Sequence, residues 1–285
     1  REVYCLNLLA GQDYSKGILK RANVIKQAKA VSLRQYPNAD DVLVDNYIRI
    51  WYNEDGTSET WDDTYVKVLT EKGRQEKSSV ALGYDAAYGT TQFTLAELIK
   101  SDGQVVRIDL EAQSREAISS GQMDANIYDP NHKTIRLSVP DLEVGDVLRY
   151  TYRGERTKAV VPNTWSDLYL FEEPMPVLHA IYQVDAPADL PLQRIELKDQ
   201  IYGTVEYRKE ALENGLRHIW EINNVAQMFE EPEMPARHTV VQRVLLSTIP
   251  DWETLSTWYW ELSKPRLDTV NDAMREKVKE LTSGL

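Results

Sequence analysis

Residues 204–222 read TVEYRKEALENGLRHIWEI. Thr204–Lys209 and Leu216–Ile222 are two strand-like runs that face each other across Glu213-Asn214-Gly215. Asn and Gly tolerate the positive φ of a tight hairpin turn, so this stretch is the clearest hairpin in the chain. The same grammar recurs upstream. Val42, Val44, Ile48 and Ile50 lead into Trp51-Tyr52, and Asn53-Glu54-Asp55-Gly56 turns the chain back into Thr60–Leu69. Lys72-Gly73 follows; Ser79–Tyr84 and Thr91–Ile99 read as strands, and Asp102-Gly103 turns the latter into Gln104–Leu110. Ile135–Val139 and Val147–Tyr152 flank a turn at Val144-Gly145-Asp146. Strands at this spacing, without long helices between them, predict a mainly β protein: a large antiparallel two-layer β-sandwich over residues 37–248.

Both ends read differently. Residues 1–36 form a basic helical extension, with Ser15 as cap and Ile18, Ala22, Ile25 and Ala28 at helical spacing; Pro37 and Asn38-Ala39-Asp40-Asp41 are expected to end it. After Pro250 the pattern changes to two amphipathic helices over 249–285. In the first, capped by Asp251 or Thr248, Trp252, Leu255, Tyr259 and Leu262 share one face, and Pro265 is expected to break it. Thr269 is read as the cap of the second, which carries Val270, Met274, Val278 and Leu281 and closes at Gly284. Two apolar stripes need a partner surface, so the four residues of the first are the candidate inter-domain interface, flanked by Trp258 and Trp260.

The chain has 285 residues and a formal net charge of −12. That charge opposes binding to phosphate backbones, so nucleic acid is not an expected partner, and apolar runs of only a few residues exclude a membrane span. Residues 1–36 nevertheless hold seven basic and two acidic side chains. A basic helix beside an acidic body is expected to dock on it, with membrane-surface binding as the alternative. The opening Arg1 suggests a removed leader or an expression scar.

Reactive constellations are scarce. Cys5, the one cysteine, has neither a neighbouring base nor a helix start to lower its pKa, and no Gly-x-Ser-x-Gly elbow occurs. His132, His179, His218 and His238 are scattered, each read as a strand residue with a satisfied ring nitrogen, and neither Asn53–Gly56 nor Asp124–Asp129 has full calcium-loop spacing. No metal, cofactor or catalytic residue is expected. Phe171-Glu172-Glu173-Pro174-Met175-Pro176 echoes Phe229-Glu230-Glu231-Pro232-Glu233-Met234-Pro235, each leading into a strand with a His and then a Gln. The two corners either line a cleft or stop strand pairing with proline and charge. Seven Trp and sixteen Tyr against three Phe suit a surface that touches sugars, peptides or another domain, although Trp51, Trp61, Trp165 and Trp220 lie in strand-like stretches and are read as core.

Several segments together resemble a known family: Tyr36-Pro37-Asn38-Ala39-Asp40, Val68–Arg74, Ile99–Val106, Val139–Tyr150 and Pro174–Leu178, with Ser247–Trp252, Trp258-Tyr259 and Lys264–Leu267 after them. Over residues 30–285 they resemble the bacterial domain-of-unknown-function 3857 family, which precedes a transglutaminase-like, papain-like cysteine protease or acyltransferase domain. The resemblance implies a β-sandwich followed by the first helices of that catalytic domain, which would be the partner on the same polypeptide. Such domains carry a nucleophile in a Gly-Asp-Cys-like segment with His and Asp downstream, and this sequence has none of the three, so no catalytic role is carried over. It also implies a periplasmic or cell-surface location. The expected function is a non-catalytic domain that positions the catalytic domain or its substrate. The alternatives are a glycan- or peptide-binding module using exposed Trp and Tyr, and an enzyme working through the acidic corners at Glu172 and Glu230.

Overall fold

The computed structural model describes residues 18–119, 128–198 and 204–283. Ser15, Cys5, Asp124 and Gly284, each singled out above, lie outside these residues.

Among the described residues fourteen strands run in chain order: β1 Asp41–Tyr52, β2 Ser58–Val68, β3 Ser79–Asp85, β4 Gly89–Ile99, β5 Val105–Arg107, β6 Ser114–Ile118, β7 His132–Ser138, β8 Val147–Arg156, β9 Ser166–Leu170, β10 Val177–Pro187, β11 Arg194–Lys198, β12 Val205–Leu212, β13 Gly215–Val225 and β14 Arg243–Ser247. Eight of them form one large sheet in the order β12-β13-β10-β1-β2-β8-β4-β5. Two three-stranded sheets, β11-β14-β9 and β3-β7-β6, make the second layer. The expected two-layer sandwich is present.

Register explains why one face of the large sheet is apolar. Trp220, Tyr182, Ile48, Asp62, Tyr152 and Phe93 occupy one row across six adjacent strands, and Ile222, Ala180, Asn46, Thr64, Tyr150 and Ala96 the next. The β11-β14-β9 layer packs on the β13 side, where Trp165, Phe171, Val244 and Leu246 close over Tyr52, Val184 and Trp220. The β3-β7-β6 layer packs on the β8 and β4 side through Leu137 and Val139 against Leu98 and Leu148. Trp51, Trp165 and Trp220 are buried and Trp61 is half-buried, so the strand tryptophans are core.

All ladders in the large sheet are antiparallel except β1 with β10, where Asn46 faces Ala180 in a parallel pairing. The connection between them includes the whole of β2 to β9, long enough to return the chain in the same direction. The 204–222 hairpin forms as expected, Leu212 facing Gly215 across its turn. At the β1–β2 turn Gly56 has φ +79, and an added Cβ would lie 2.1 Å from the Thr164 carbonyl oxygen, so only glycine fits.

The opposite face of the large sheet is polar and carries helix α1, Arg21–Ala30, whose Val24 and Ala28 pack on Val44, Tyr65, Ile99 and Val147. The helix stops at Ala30, well before Pro37. Lys67 Nζ on β2 donates to the carbonyls of Ala28 and Val31 at 2.8 and 2.9 Å, satisfying the helix end from below. Arg21 reaches Glu97 at 2.7 Å, a basic-helix-to-acidic-body contact of the kind the charge pattern suggested.

Other boundaries also move. Lys72-Gly73 lies in a helix, α2 Glu71–Lys77, capped by Thr70. Only Val105–Arg107 of the expected Gln104–Leu110 strand pairs, because Asp109 caps the short helix α3, Leu110–Gln113. The strands that flank Val144-Gly145-Asp146 belong to different sheets, so that turn carries the chain between layers. After the short α4, Arg237–Val240, come the tail helices α5, Trp252–Leu267, and α6, Asp272–Thr282. Asp251 caps α5 as expected, its side chain accepting from Thr254 N at 2.8 Å. Pro265 does not break α5: it sits near the end, where its missing N–H and its clash with the preceding turn leave little helix to lose. Asn271, not Thr269, caps α6, accepting from Met274 N at 2.9 Å, while Thr269 Oγ1 donates to the Pro265 carbonyl. Among the described residues no helix is long and apolar enough to cross a membrane.

Candidate binding cleft

On strand β2 the sequence Thr60-Trp61-Asp62-Asp63-Thr64-Tyr65-Val66 splits by alternation. Asp62, Thr64 and Val66 face the sandwich interior, whereas Trp61, Asp63 and Tyr65 face the α1 side. A carboxyl therefore stands in an apolar row. Asp62 is 4% exposed. Its Oδ1 accepts from Asn46 Nδ2 at 3.2 Å and from the Thr64 hydroxyl, and Asn46 Nδ2 also lies 2.9 Å from Thr64 Oγ1. Tyr169 donates to Asn46 Oδ1 at 3.4 Å.

These groups form the floor of a cleft of about 380 Å³ that opens between the two small sheets. Ile48, Val66, Tyr150, Tyr152, Tyr169 and Phe171 wall it, and Glu76, Lys77 and Glu173 stand at its mouth. Tyr169 stacks on Tyr182 with ring centroids 4.5 Å apart and meets Phe171 edge-on at 5.0 Å, so that wall is rigid. Concave, apolar and furnished with a few converging polar atoms, the cleft has the general anatomy of a ligand site.

Burial pushes the Asp62 carboxyl up to about 7, against the opposing hydrogen bonds from Thr64 and Asn46. The Tyr150, Tyr152 and Tyr169 hydroxyls are driven well above their ordinary value by the same burial and stay neutral. Because the folded-state pKa of Asp62 lies above its unfolded value, its protonated form favours the native state, and that contribution is lost as pH rises from about 4 through 7. We predict that denaturation midpoints of the wild type fall across that window relative to Asp62→Asn. Parallel curves for the two proteins would refute this assignment.

The four expected interface residues lie far out on α5: Trp252 is 74%, Tyr259 64% and Leu262 61% exposed, and Leu255 is half-buried. Trp260 is exposed beside them and Trp258 half-buried. Met274, Val278 and Leu281 on α6 are all exposed, as is Val270, which precedes the helix instead of lying on it as expected.

The residues flanking the second acidic corner touch the first, since Met228 N donates to the Glu173 carbonyl at 3.0 Å and Arg237 pairs with the Glu173 carboxylate at 2.7 Å. They are not equivalent. Phe171 is buried and Glu173 reaches the cleft mouth, whereas Phe229 is 62% exposed and Glu230 and Glu231 lie on the surface.

The histidines differ too. His179 Nδ1 lies 2.7 Å from Asp45 and Nε2 3.2 Å from Glu221, and the Asp45 contact raises its pKa. His218 Nδ1 meets the Tyr207 hydroxyl at 2.8 Å. His238, by contrast, is exposed on α4 rather than on a strand. His132 joins Asp85 and Asp129 in a triplet whose ligand atoms lie within 4.8 Å of one another. That triplet sits at an exposed turn, where Asp129 Oδ1 already accepts from Asn131 N at 2.9 Å.

Sequence reasoning passed over Asp62. The available signal was its phase: a charged residue two positions from Thr64 and four from Val66 on a strand with an apolar face.

A family model described as "Domain of Unknown Function with solved-structure structure" (DUF3857) matches residues 54–229. Among solved structures, that of a "putative protease" from Parabacteroides distasonis ATCC 8503 superposes with a TM-score of 0.72 at 16% identity, covering 86% of this chain and 47% of that one. The likeness is one of fold, and the chain spans about half the length of that neighbour. A CBM3a-L domain with flanking linkers from scaffoldin cipA of the Clostridium thermocellum cellulosome, 14% identical over 39% of this chain and 68% of its own, has a TM-score of 0.23, too low for a shared fold. No curated protein matches.

Proposed function

Because the chain belongs to the DUF3857 family, we propose that it is a non-catalytic β-sandwich domain that positions a transglutaminase-like cysteine protease or acyltransferase domain, or that domain's substrate. The observation that carries this reading is the uncovered apolar surface of α5 and α6. Trp252, Tyr259 and Leu262, with half-buried Leu255 beside them, would cost free energy in water as a permanent surface and are suited to packing against another domain. The likeness in fold to a "putative protease" of about twice the length supports it. On this reading sandwich and junction meet near residue 249, after a basic extension over 1–36, and the parent protein works in the periplasm or at the cell surface.

The purified 285 residues should release no product from model amide and peptide substrates. In a protein that carries both domains, Tyr259→Ser with Leu262→Ser should expose the junction to limited proteolysis. Turnover by this chain alone that disappears in Cys5→Ala, or an unchanged digestion pattern, would overturn the proposal.

A second reading is favoured by a different fact: Trp252, Tyr259 and Trp260 lie exposed together on α5, as a glycan- or peptide-stacking surface requires. It predicts affinity in a glycan or peptide screen that is lost when these aromatics are replaced; a blank screen counts against it.

A further inference from the structure

The cleft between the small sheets is bounded by a free strand edge. In the order β3-β7-β6, β3 pairs among the described residues only with β7, and β9 is likewise the outer strand of β11-β14-β9. Four consecutive β3 residues, Ser79, Val80, Ala81 and Leu82, line the cleft, so the backbone edge itself faces it rather than one side-chain phase. Tyr169 of β9 stands on the other side. A strand edge of this kind is a template for another extended chain.

Charge narrows the occupant. Around the mouth, Glu173 is held by Arg237 at 2.7 Å, and Lys77 is drawn to Asp41 at 3.3 Å. Glu76 has, among the described residues, a distant Lys72 at 3.7 Å. On the floor, the groups that act on Asp62 are hydrogen-bond donors and other acids; among the described residues no Lys, Arg or His pairs with it. The floor thus offers a carboxyl with no cation of its own, beneath tyrosine rings whose faces attract positive charge.

We propose that the cleft binds an extended polypeptide segment that adds to the β3 edge and lowers a basic side chain, with its ammonium or guanidinium on Asp62. Alternate residues of the added strand point to the floor. The aliphatic stem of a lysine or arginine lies along Ile48, Val66 and Tyr150, and its charged head meets the carboxylate, Tyr152 and Thr64. The proposal is independent of what the tail helices touch.

Binding needs ionised Asp62, so it expels a proton at acidic pH, and affinity rises with pH until Asp62 is ionised in the free protein. The wall tyrosines stay neutral throughout. Asp41, Glu76, Lys77 and Glu173 are the charged groups around the mouth, and Asp63 faces the other side of the sheet.

The test is calorimetric titration of the full chain with a capped heptapeptide of alternating Val and Thr around one central Lys. We expect affinity to rise by about tenfold per pH unit below neutrality and to fall by about tenfold or more when the lysine is acetylated or when Asp62→Asn is used. N-methylation of alternate backbone amides should abolish binding, because it removes the strand pairing. Equal binding of the lysine and acetyl-lysine peptides, or none of the lysine peptide between pH 6 and 8.5, would overturn the proposal without calling on any variant to fold. Binding of n-butylamine as tight as that of the peptide would overturn the strand-addition half.

Discussion

Arg149→Ala should cost the fold about 3–5 kcal/mol, the range for removing one partner of a buried ion pair. Arg149 donates Nε and Nη2 to the two oxygens of Asp63, both at 3.0 Å, and the two side chains are 3% and 0% exposed. Its guanidinium also lies over the Tyr65 ring, 4.9 Å from the centroid, and reaches Glu97 at 3.4 Å. Asp63 Oδ2 accepts the Ile18 and Leu19 amides at 2.8 Å each, so the same carboxylate fastens the start of α1 to the sheet. Without Arg149, Asp63 is left with the Ile18 and Leu19 amides and Glu97 with Arg21, which is 40% exposed. Urea denaturation measures the effect. The double variant Arg149→Met with Asp63→Leu should recover much of the loss, because apolar groups of similar volume avoid the desolvation penalty. A single-variant loss under about 1 kcal/mol would mean that water reaches the pair.

Trp165→Ala should be as damaging, at about 3–5 kcal/mol, through the cavity left by a large buried ring. Trp165 is 2% exposed and stacks on Tyr52 with centroids 4.5 Å apart and planes 7° from parallel. Its backbone is pinned as well: its N–H donates to Thr248 Oγ1 at 2.8 Å, and its carbonyl accepts from Thr248 N at 2.9 Å. The ring therefore holds the β11-β14-β9 layer on the large sheet at the point where the chain leaves for α5. Trp252→Ala, in contrast, should change stability of this chain by less than about 0.5 kcal/mol, since an exposed ring gives up little on truncation. Thermal denaturation of the two variants side by side tests the contrast, and similar losses would show that α5 is covered in solution.

What could be read in advance was local. Asn214-Gly215 specified its hairpin, and alternation marked the strands, because both signals live within a few residues. Pairing between β1 and β10, and the division of the second layer into two sheets, depend on contacts between distant segments and leave no such mark. Ala30 ends α1 because Lys67, on another element, satisfies its last carbonyls. Thr269 and Asn271 are both capping residue types, Asn the stronger, and it is the backbone at 271 that presents its side chain to Met274 N. The cleft was hidden for a related reason: Asp62 and Asp63 look alike in the sequence, and their opposite fates follow from which face the second layer covers.

The parallel pairing at the centre of the large sheet has a kinetic meaning. Asn46 and Ala180 lie roughly 130 residues apart, a high contact order that slows folding. Until β10 has left the ribosome, one flank of β1 has no neighbour, and the nascent hairpin of β1 and β2 exposes an adhesive border. Chaperone demand during synthesis should therefore persist until β10, which ends at Pro187, has emerged, and drop once it has docked.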